Sequence, residues 1–383
     1  MAAELNQHIV ILFEFPTLNG GEHSMLSVLE QLSDGDRLRF TVVAPSDGPL
    51  SQRLGTIGIP LVPFSVRFSS GSKRSAAELL TELNGIVASL RPDIVHANSL
   101  SMSRLLGQLS RRLSTQCCTG HIRDIMKVSR QAISDLNGLN HIVAVSEATR
   151  QFHIKQGLES ERVEVVRNGV DMSRFRTRQK EKHRSELLPQ LSSDSVVLLN
   201  VGQICLRKGQ LVLARAVTRV LDFRRDVHLV LVGERHSAKA ESIAYEQSII
   251  ETFADAGLEA HLHRPGYCEN TEYWMNAADV LVHTAHQEPL GRVILEAAAS
   301  ELPIIATDVG GTPEILEHEQ SGFFVSSGNV DELVKAIEDA IDEPLRFQTH
   351  AANAVRNIRQ QFSVQQASDG LLKFWRRVRQ RNG

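Results

Sequence analysis

Gln287-Glu288-Pro289-Leu290-Gly291-Arg292-Val293-Ile294-Leu295-Glu296-Ala297-Ala298-Ala299 carries two glutamates eight positions apart, the second inside an Ala-rich helical run. Proline suits the first position of a helix. The pattern therefore predicts a helix entered at Pro289, with Gly291 letting a ligand approach the backbone closely. The unpaired N–H groups of that first turn would face an anion. Glu288 would stand at the mouth and Glu296 about two turns further in, both acceptors for hydroxyl groups. A phosphate cradle flanked by hydroxyl-reading carboxylates is the arrangement that a nucleotide-sugar requires.

On either side of this stretch, short apolar runs alternate with amphipathic ones. Ile9–Phe15, Phe40–Ala44, Ile59–Phe64, Asp93–Ala97, Cys117–His121, Ile142–Val145 and Val163–Val166 read as a first series of strands. Val196–Val201, His228–Val232, His261–His263, Val280–His283 and Ile304–Thr307 read as a second. Helical patterns such as Met25–Leu32, Ala76–Leu90 and Ser103–Leu113 separate them. Continuous Val/Ile/Leu strands joined by helices indicate parallel sheets covered on both faces. The polar stretch Ser173–Ser193 separates the two series, so the junction is placed near residue 175. The fold class is α/β, with two doubly wound Rossmann-like domains over 1–175 and 176–362. Such a pair is expected to face across a cleft, with ligands at the carboxyl ends of the strands. A last helical segment over 363–383 includes Phe374-Trp375-Arg376-Arg377-Val378-Arg379.

Composition excludes several classes. The 383 residues are 42% hydrophobic and 23% charged, an ordinary globular balance with material for two cores. A net charge of −3 gives no global field toward nucleic acid, and no nucleic-acid signal is present. The four cysteines, Cys117, Cys118, Cys205 and Cys268, form no Cys-x-x-Cys pair. They read as free thiols of a reducing compartment, with Cys117 and Cys118 facing opposite ways on a strand. The segment Met1-Ala2-Ala3-Glu4-Leu5-Asn6-Gln7-His8 does not read as a secretory signal. No apolar run approaches the roughly 20 residues that span a bilayer. The expected location is cytoplasmic.

Other constellations offer chemistry. Gly20-Gly21 follows the first strand and allows close approach to a diphosphate or sugar, or makes a tight turn. Arg207 and Lys208 follow the first strand of the second domain, where they would meet a diphosphate or form a solvated basic loop. His121 ends a first-domain strand and could donate to a sugar hydroxyl or serve as a structural histidine; His96 ends the preceding strand. Gly310-Gly311 permits another close turn, with packing or ligand contact as its role, and Pro313 fits the start of the next helix. Asp34-Gly35-Asp36 reads as a plain turn rather than a metal site. No second cluster completes a zinc site beside His261 and His263, and neither a P-loop nor a Gly-x-Gly-x-x-Gly fingerprint occurs.

Taken in order, these pieces resemble the retaining glycosyltransferases of family 4, which have the GT-B fold. The landmarks are Val163-Glu164-Val165-Val166-Arg167-Asn168-Gly169-Val170-Asp171, Val201-Gly202 through Arg207-Lys208-Gly209, Leu231-Val232-Gly233-Glu234, Gly266-Tyr267 and Ala277-Ala278-Asp279-Val280. The Glu288-x7-Glu296 motif, Pro303-Ile304-Ile305-Ala306-Thr307 and Gly310-Gly311-Thr312-Pro313-Glu314 complete them. The resemblance implies an acceptor-side N-terminal domain and a C-terminal domain that holds a nucleoside-diphosphate sugar, UDP being the commonest choice. It implies transfer of a hexosyl unit with retention and without a metal or other cofactor. Glu288 would contact the donor sugar, and Glu296 the ribose. The amides near Leu290 and Gly291 would hold the diphosphate with Lys208, helped by Arg207. Gly20 and Gly21 match a glycine loop that closes over the donor, and His121 a histidine near the donor sugar. The C-terminal helix would cross back onto the first domain. Gln203 departs from the family, which often has arginine there.

Gln203 is also the one feature favouring a non-catalytic nucleotide-sugar-binding protein of the same fold. The acceptor, whether a glycan, a lipid-linked molecule or a small molecule, has no diagnostic motif. Arg104, Arg111, Arg112, Arg123, Lys127 and Arg130 read either as a solvated helix surface or as a face for peripheral contact with anionic lipid at the inner membrane surface.

Overall fold

Runs of Val, Ile and Leu become the buried strands of two parallel sheets in the computed structural model, which describes residues 7–33, 38–113, 116–177 and 179–382. The chain divides into two units. One comprises residues up to Gly169 together with the segment from Val364 onward; the other is Val170–Ser363. Met1–Asn6 and Asp34–Asp36 lie outside the described residues.

The first unit contains β1 (Gln7–Leu12), β2 (Leu38–Ala44), β3 (Leu61–Pro63), β4 (Ile94–Ala97), β5 (Cys117–Ile122), β6 (His141–Ala144) and β7 (Val163–Val165). They form one parallel sheet in the order β3-β2-β1-β4-β5-β6-β7. In β1, Ile9 and Ile11 enter a core with Met25, Leu29 and Leu371, while Val10 and Leu12 enter another with Leu83 and Leu106. This alternation puts helices on both faces. Cys117 and Cys118 separate in the same way, one into each core, and no disulfide joins any of the four cysteines among the described residues.

The helix Val364–Asn382 belongs to this unit because its sequence is amphipathic. Ala367, Leu371, Phe374, Trp375 and Val378 recur at helical spacing and are all buried in the core of the first sheet. Trp375 is fully enclosed, 6.0 Å from the Phe40 ring, and its indole N–H donates to Nδ1 of His96 at 3.3 Å. His96 is therefore part of the core.

The second unit contains β8 (Val196–Val201), β9 (Val227–Val232), β10 (Leu262–Gly266), β11 (Val280–His283), β12 (Ile304–Thr307) and β13 (Phe323–Val325), ordered β10-β9-β8-β11-β12-β13 and again parallel. β13 escapes a reading by pattern because three residues are too short a run, yet they pair in register with Ile305–Thr307. Residues 170–175 go with this unit. The Val170 amide donates to Phe362 at 2.8 Å, and Arg174 pairs with Glu272 at 2.9 Å.

In both sheets the winding direction reverses once, between β1 and β4 and between β8 and β11. Loops leaving adjacent strands diverge at such a point and open a crevice at the strand carboxyl ends.

Candidate functional site

At the β8/β11 reversal, three polar side chains meet. Lys208 follows β8 in the single turn Leu206–Lys208; His283 ends β11; Glu288 follows five residues later. One oxygen of Glu288, Oε2, accepts from Lys208 Nζ at 2.6 Å and from His283 Nε2 at 2.9 Å. The other, Oε1, has no hydrogen-bond partner among the described residues. Burial alone would raise the Glu288 carboxyl. The Lys208 charge and the His283 hydrogen bond outweigh burial and hold it well below the usual carboxylate range. Burial, then the Lys208 charge, lowers His283 against the pull of Glu288, so the ring is a neutral donor. His283 was not singled out from sequence, although its place at a strand end just before Glu288 was visible.

The helix expected from Pro289 starts instead at Arg292, with Gly291 as its cap at φ 112°. Pro289 lies in the preceding loop, and Glu296 is little more than one turn into the helix, its carboxylate paired with Arg292 at 2.7 Å. Leu290 and Gly291 are buried, yet their amides find no acceptor among the described residues. Buried amides are almost always paired, so two adjacent orphans mark a place for an anion. Arg207 is exposed and donates to the Gln287 carbonyl at 3.1 Å, so it braces the loop and is not grouped with Lys208 on Glu288. Gln203 accepts from the Gln210 side chain through its carbonyl at 2.9 Å.

Two glycines make this geometry sterically accessible. A Cβ on Gly209 would fall 2.0 Å from the Thr284 carbonyl oxygen, and one on Gly310 would fall 1.9 Å from that of Glu288; both have positive φ. Gly310 thus packs under the Glu288 loop, the packing role considered for it. Gly310→Ala combines backbone strain with overlap, so a loss of about 2–5 kcal/mol in urea unfolding is expected. Unchanged stability would contradict this packing.

At the β1/β4 reversal, Gly20 and Gly21 are the first two residues of the helix Gly20–Ser33, so they form its opening turn and not a loop before it. His121, in β5, is buried. Arg123 follows that strand, tied to Asn98, Asn168 and His121. It is therefore no part of a solvated basic face. Arg104 pairs with Asp135 and Arg111 donates to Ser134, which leaves a smaller basic surface than the sequence suggested. A cavity of about 440 Å³ opens at the same strand ends, between Glu14, Phe15, Ser99, Asp124, Met126 and Lys127. Phe15 and Met126 are exposed there. A larger cavity, about 630 Å³, lies between the helices preceding β8 and β11, where Lys182, His183 and Tyr273 line it. Its lining does not come from strand carboxyl ends, so the smaller one fits ligand chemistry better.

Among the described residues no group of three or more His, Cys, Asp or Glu is placed to hold a metal ion, and no helix is long and apolar enough to cross a membrane. His261 and His263 both approach His228, whose Nδ1 is 3.1 Å from His263 Nε2. Burial, and then the neighbouring histidines, lowers His228 to about 4; burial, and then Arg123, lowers His96 to about 3. Both rings fold neutral. Their contribution to stability is complete above the unfolded value of about 6.5 and is lost as pH falls toward those folded values. For His96 the expected slope is roughly 1.4 kcal/mol per pH unit between about pH 6.5 and 4. Urea titrations across that range measure it, and a flat profile would contradict the buried neutral rings.

Residues 18–174 match the family model described as Glycosyltransferase Family 4, and residues 179–361 match that described as Glycosyl transferases group 1. The D-inositol 3-phosphate glycosyltransferase of Rhodococcus erythropolis is 27% identical over 62% of this chain and 53% of its own length. That of Thermomonospora curvata is 31% identical over 58% of this chain and 53% of its own. The chain spans about half the length of the curated relatives it matches. Anabaena HepE, solved with UDP and glucose, superposes with a TM-score of 0.83 at 24% identity, covering 96% of this chain and 98% of that one. Sucrose-phosphate synthase of Thermosynechococcus elongatus gives 0.82 at 16% identity, covering 97% and 99%. These likenesses establish the fold, two Rossmann-like domains of the GT-B type.

Proposed function

Because this chain is built from the two domains of a GT-B glycosyltransferase, we propose that it moves a hexosyl unit from a nucleoside-diphosphate sugar, a UDP-sugar first, to an acceptor hydroxyl with retention and without a metal. The observation that carries the reading is the Lys208–Glu288–His283 cluster beside the unclaimed amides of Leu290 and Gly291. In this reading the amides and Lys208 take the diphosphate, Oε1 of Glu288 takes a sugar hydroxyl, and Glu296 takes the ribose. Arg207 keeps the loop in place. Gly20, Gly21 and His121 keep in this reading the ligand-side roles that the resemblance implies for them. HepE, whose structure contains UDP and glucose, supports this choice of donor class.

The reaction breaks the bond from the anomeric carbon to the diphosphate oxygen and joins that carbon to the acceptor oxygen. Negative charge grows on the departing phosphate, where the helix N-terminus and Lys208 are suited to stabilise it. The acceptor's proton passes to that phosphate, so no separate base is required. In this reading the acceptor binds in the cavity beside Phe15 and Met126, which lies at the strand ends of the first unit.

A thermal-shift screen of nucleotide sugars, followed by a transfer and hydrolysis assay with the best of them, tests the reading. Ligand at a hundred times its Kd stabilises by about 2.7 kcal/mol. Absence of a shift with any nucleotide sugar would sink the proposal. Binding without turnover would favour the second reading, a nucleotide-sugar-binding protein, to which Gln203 points.

A further inference from the structure

His121 on β5 and His96 on β4 meet edge to face, ring centroids 5.6 Å apart. Each has its Nδ1 beside a group that can only donate. Arg123 Nη2 is 3.1 Å from Nδ1 of His121, and Trp375 Nε1 is 3.3 Å from Nδ1 of His96. A guanidinium cannot accept, so Nδ1 of His121 is unprotonated and its neutral ring carries the proton on Nε2, whereas Nδ1 of His96 also has the Thr119 hydroxyl at 2.8 Å, which can donate or accept. In both rings Nε2 is buried and without a hydrogen-bond partner. An unsatisfied buried donor is costly, and such exceptions ask for an explanation. His96 is sealed in the core under Trp375; His121 lies one residue before the end of β5, beside the β1/β4 reversal where a ligand would approach.

Arg123 is held for the task. Its Nε and Nη2 donate to Oδ1 of Asn98 at 3.1 and 2.8 Å, and its Nη1 donates to Oδ1 of Asn168 at 2.7 Å. No carboxylate pairs with it among the described residues. Its stem fits under Gly21, where a Cβ would come 3.0 Å from Cδ, and Asn98 donates in turn to the Gly21 carbonyl at 3.2 Å. One side chain thus couples the His121 ring to the opening turn of the helix Gly20–Ser33.

We propose that Arg123 is a positioning residue that fixes His121 as the Nε2–H tautomer, so that the ring offers a hydrogen-bond donor to an oxygen of the bound nucleotide sugar and does not act as a base. This rests on the proposed function for the identity of the ligand, but not for the tautomer. The groups facing the ring support it. Burial, then the Arg123 charge, then His96 hold His121 well below its ordinary value. Burial lowers Arg123 to about 10, against Glu22 and Asp124, so it stays charged at neutral pH.

The test is a long-range proton–nitrogen NMR spectrum of the full chain labelled with nitrogen-15 histidine, the His121 signals being assigned by their loss in His121→Gln. The expected wild-type pattern has the proton on Nε2 and no titration near about pH 6.5. In Arg123→Met, the Nδ1–H form should appear and the ring should titrate closer to about pH 6.5. Arg123→Lys, which keeps a donor and a charge, should restore the Nε2–H form. With UDP-glucose, Arg123→Met should lower kcat/KM about tenfold, the size of one misplaced hydrogen bond, and Lys should recover part of it. A wild-type ring protonated on Nδ1 would overturn the inference without recourse to any variant. So would an Arg123→Met spectrum identical to wild type. Lack of any transfer in the wild type would sink the proposed function and leave the tautomer result standing.

Discussion

Glu288→Gln is expected to lower turnover at saturating donor about a hundredfold and to lower stability as well. The two effects have separate causes. Loss of the charged acceptor Oε1 would remove the proposed hydrogen bond to a sugar hydroxyl, about 1.5–3 kcal/mol, and such a bond counts most where charge develops at the anomeric carbon. Loss of the negative charge also leaves Lys208 unpaired, with only 12% of its side chain exposed. Removing one partner of a buried pair typically costs about 3–5 kcal/mol, whereas replacing both by apolar groups is often neutral. The double variant Glu288→Gln with Lys208→Met should therefore recover most of the stability lost in Glu288→Gln and none of the turnover. Urea unfolding of the two single variants and the double variant measures the coupling. Wild-type transfer by Glu288→Gln would remove Glu288 from the active site.

Both sheets were legible in the sequence because their strands are buried on both faces, and a buried parallel strand is a continuous apolar run. Strand order was not legible, and it locates the site. Nothing in the spacing of Lys208 and Glu288, eighty residues apart, says that β8 and β11 are neighbours. The Glu288 loop departs from its local pattern: prolines favour a helix start, but the left-handed Gly291 forms the cap and the helix begins one residue later, at Arg292. Arg123 was invisible as an anchor for the opposite reason. An arginine among five other cations reads as surface, and only the fold brings Asn98 and Asn168 to its guanidinium. The helix Val364–Asn382 was the easier reading, because its apolar stripe needs a surface to cover.

Lys208→Met is expected to weaken UDP binding about a hundredfold, more than the loss of one exposed cation would produce. In the free protein Lys208 neutralises Glu288 and holds it ionised. Without Lys208, a diphosphate must bind near an unbalanced carboxylate as well as without its cation, and both changes oppose it. The carboxyl is then left with burial, which raises it, and the single hydrogen bond from His283, which lowers it. Its folded value should rise from well below the usual carboxylate range toward or above the ordinary value of about 4.3. Protonation of Glu288 would remove the repulsion, so UDP should bind the variant more tightly as pH falls toward about 5, whereas the wild type, whose Glu288 stays ionised throughout, should show no such gain from this group. Titration calorimetry with UDP at several pH values reads both effects. Unchanged affinity at neutral pH would end the phosphate role of Lys208. Weakened affinity with no tightening on acidification would mean that Lys208 meets the diphosphate directly while Glu288 stays out of its field.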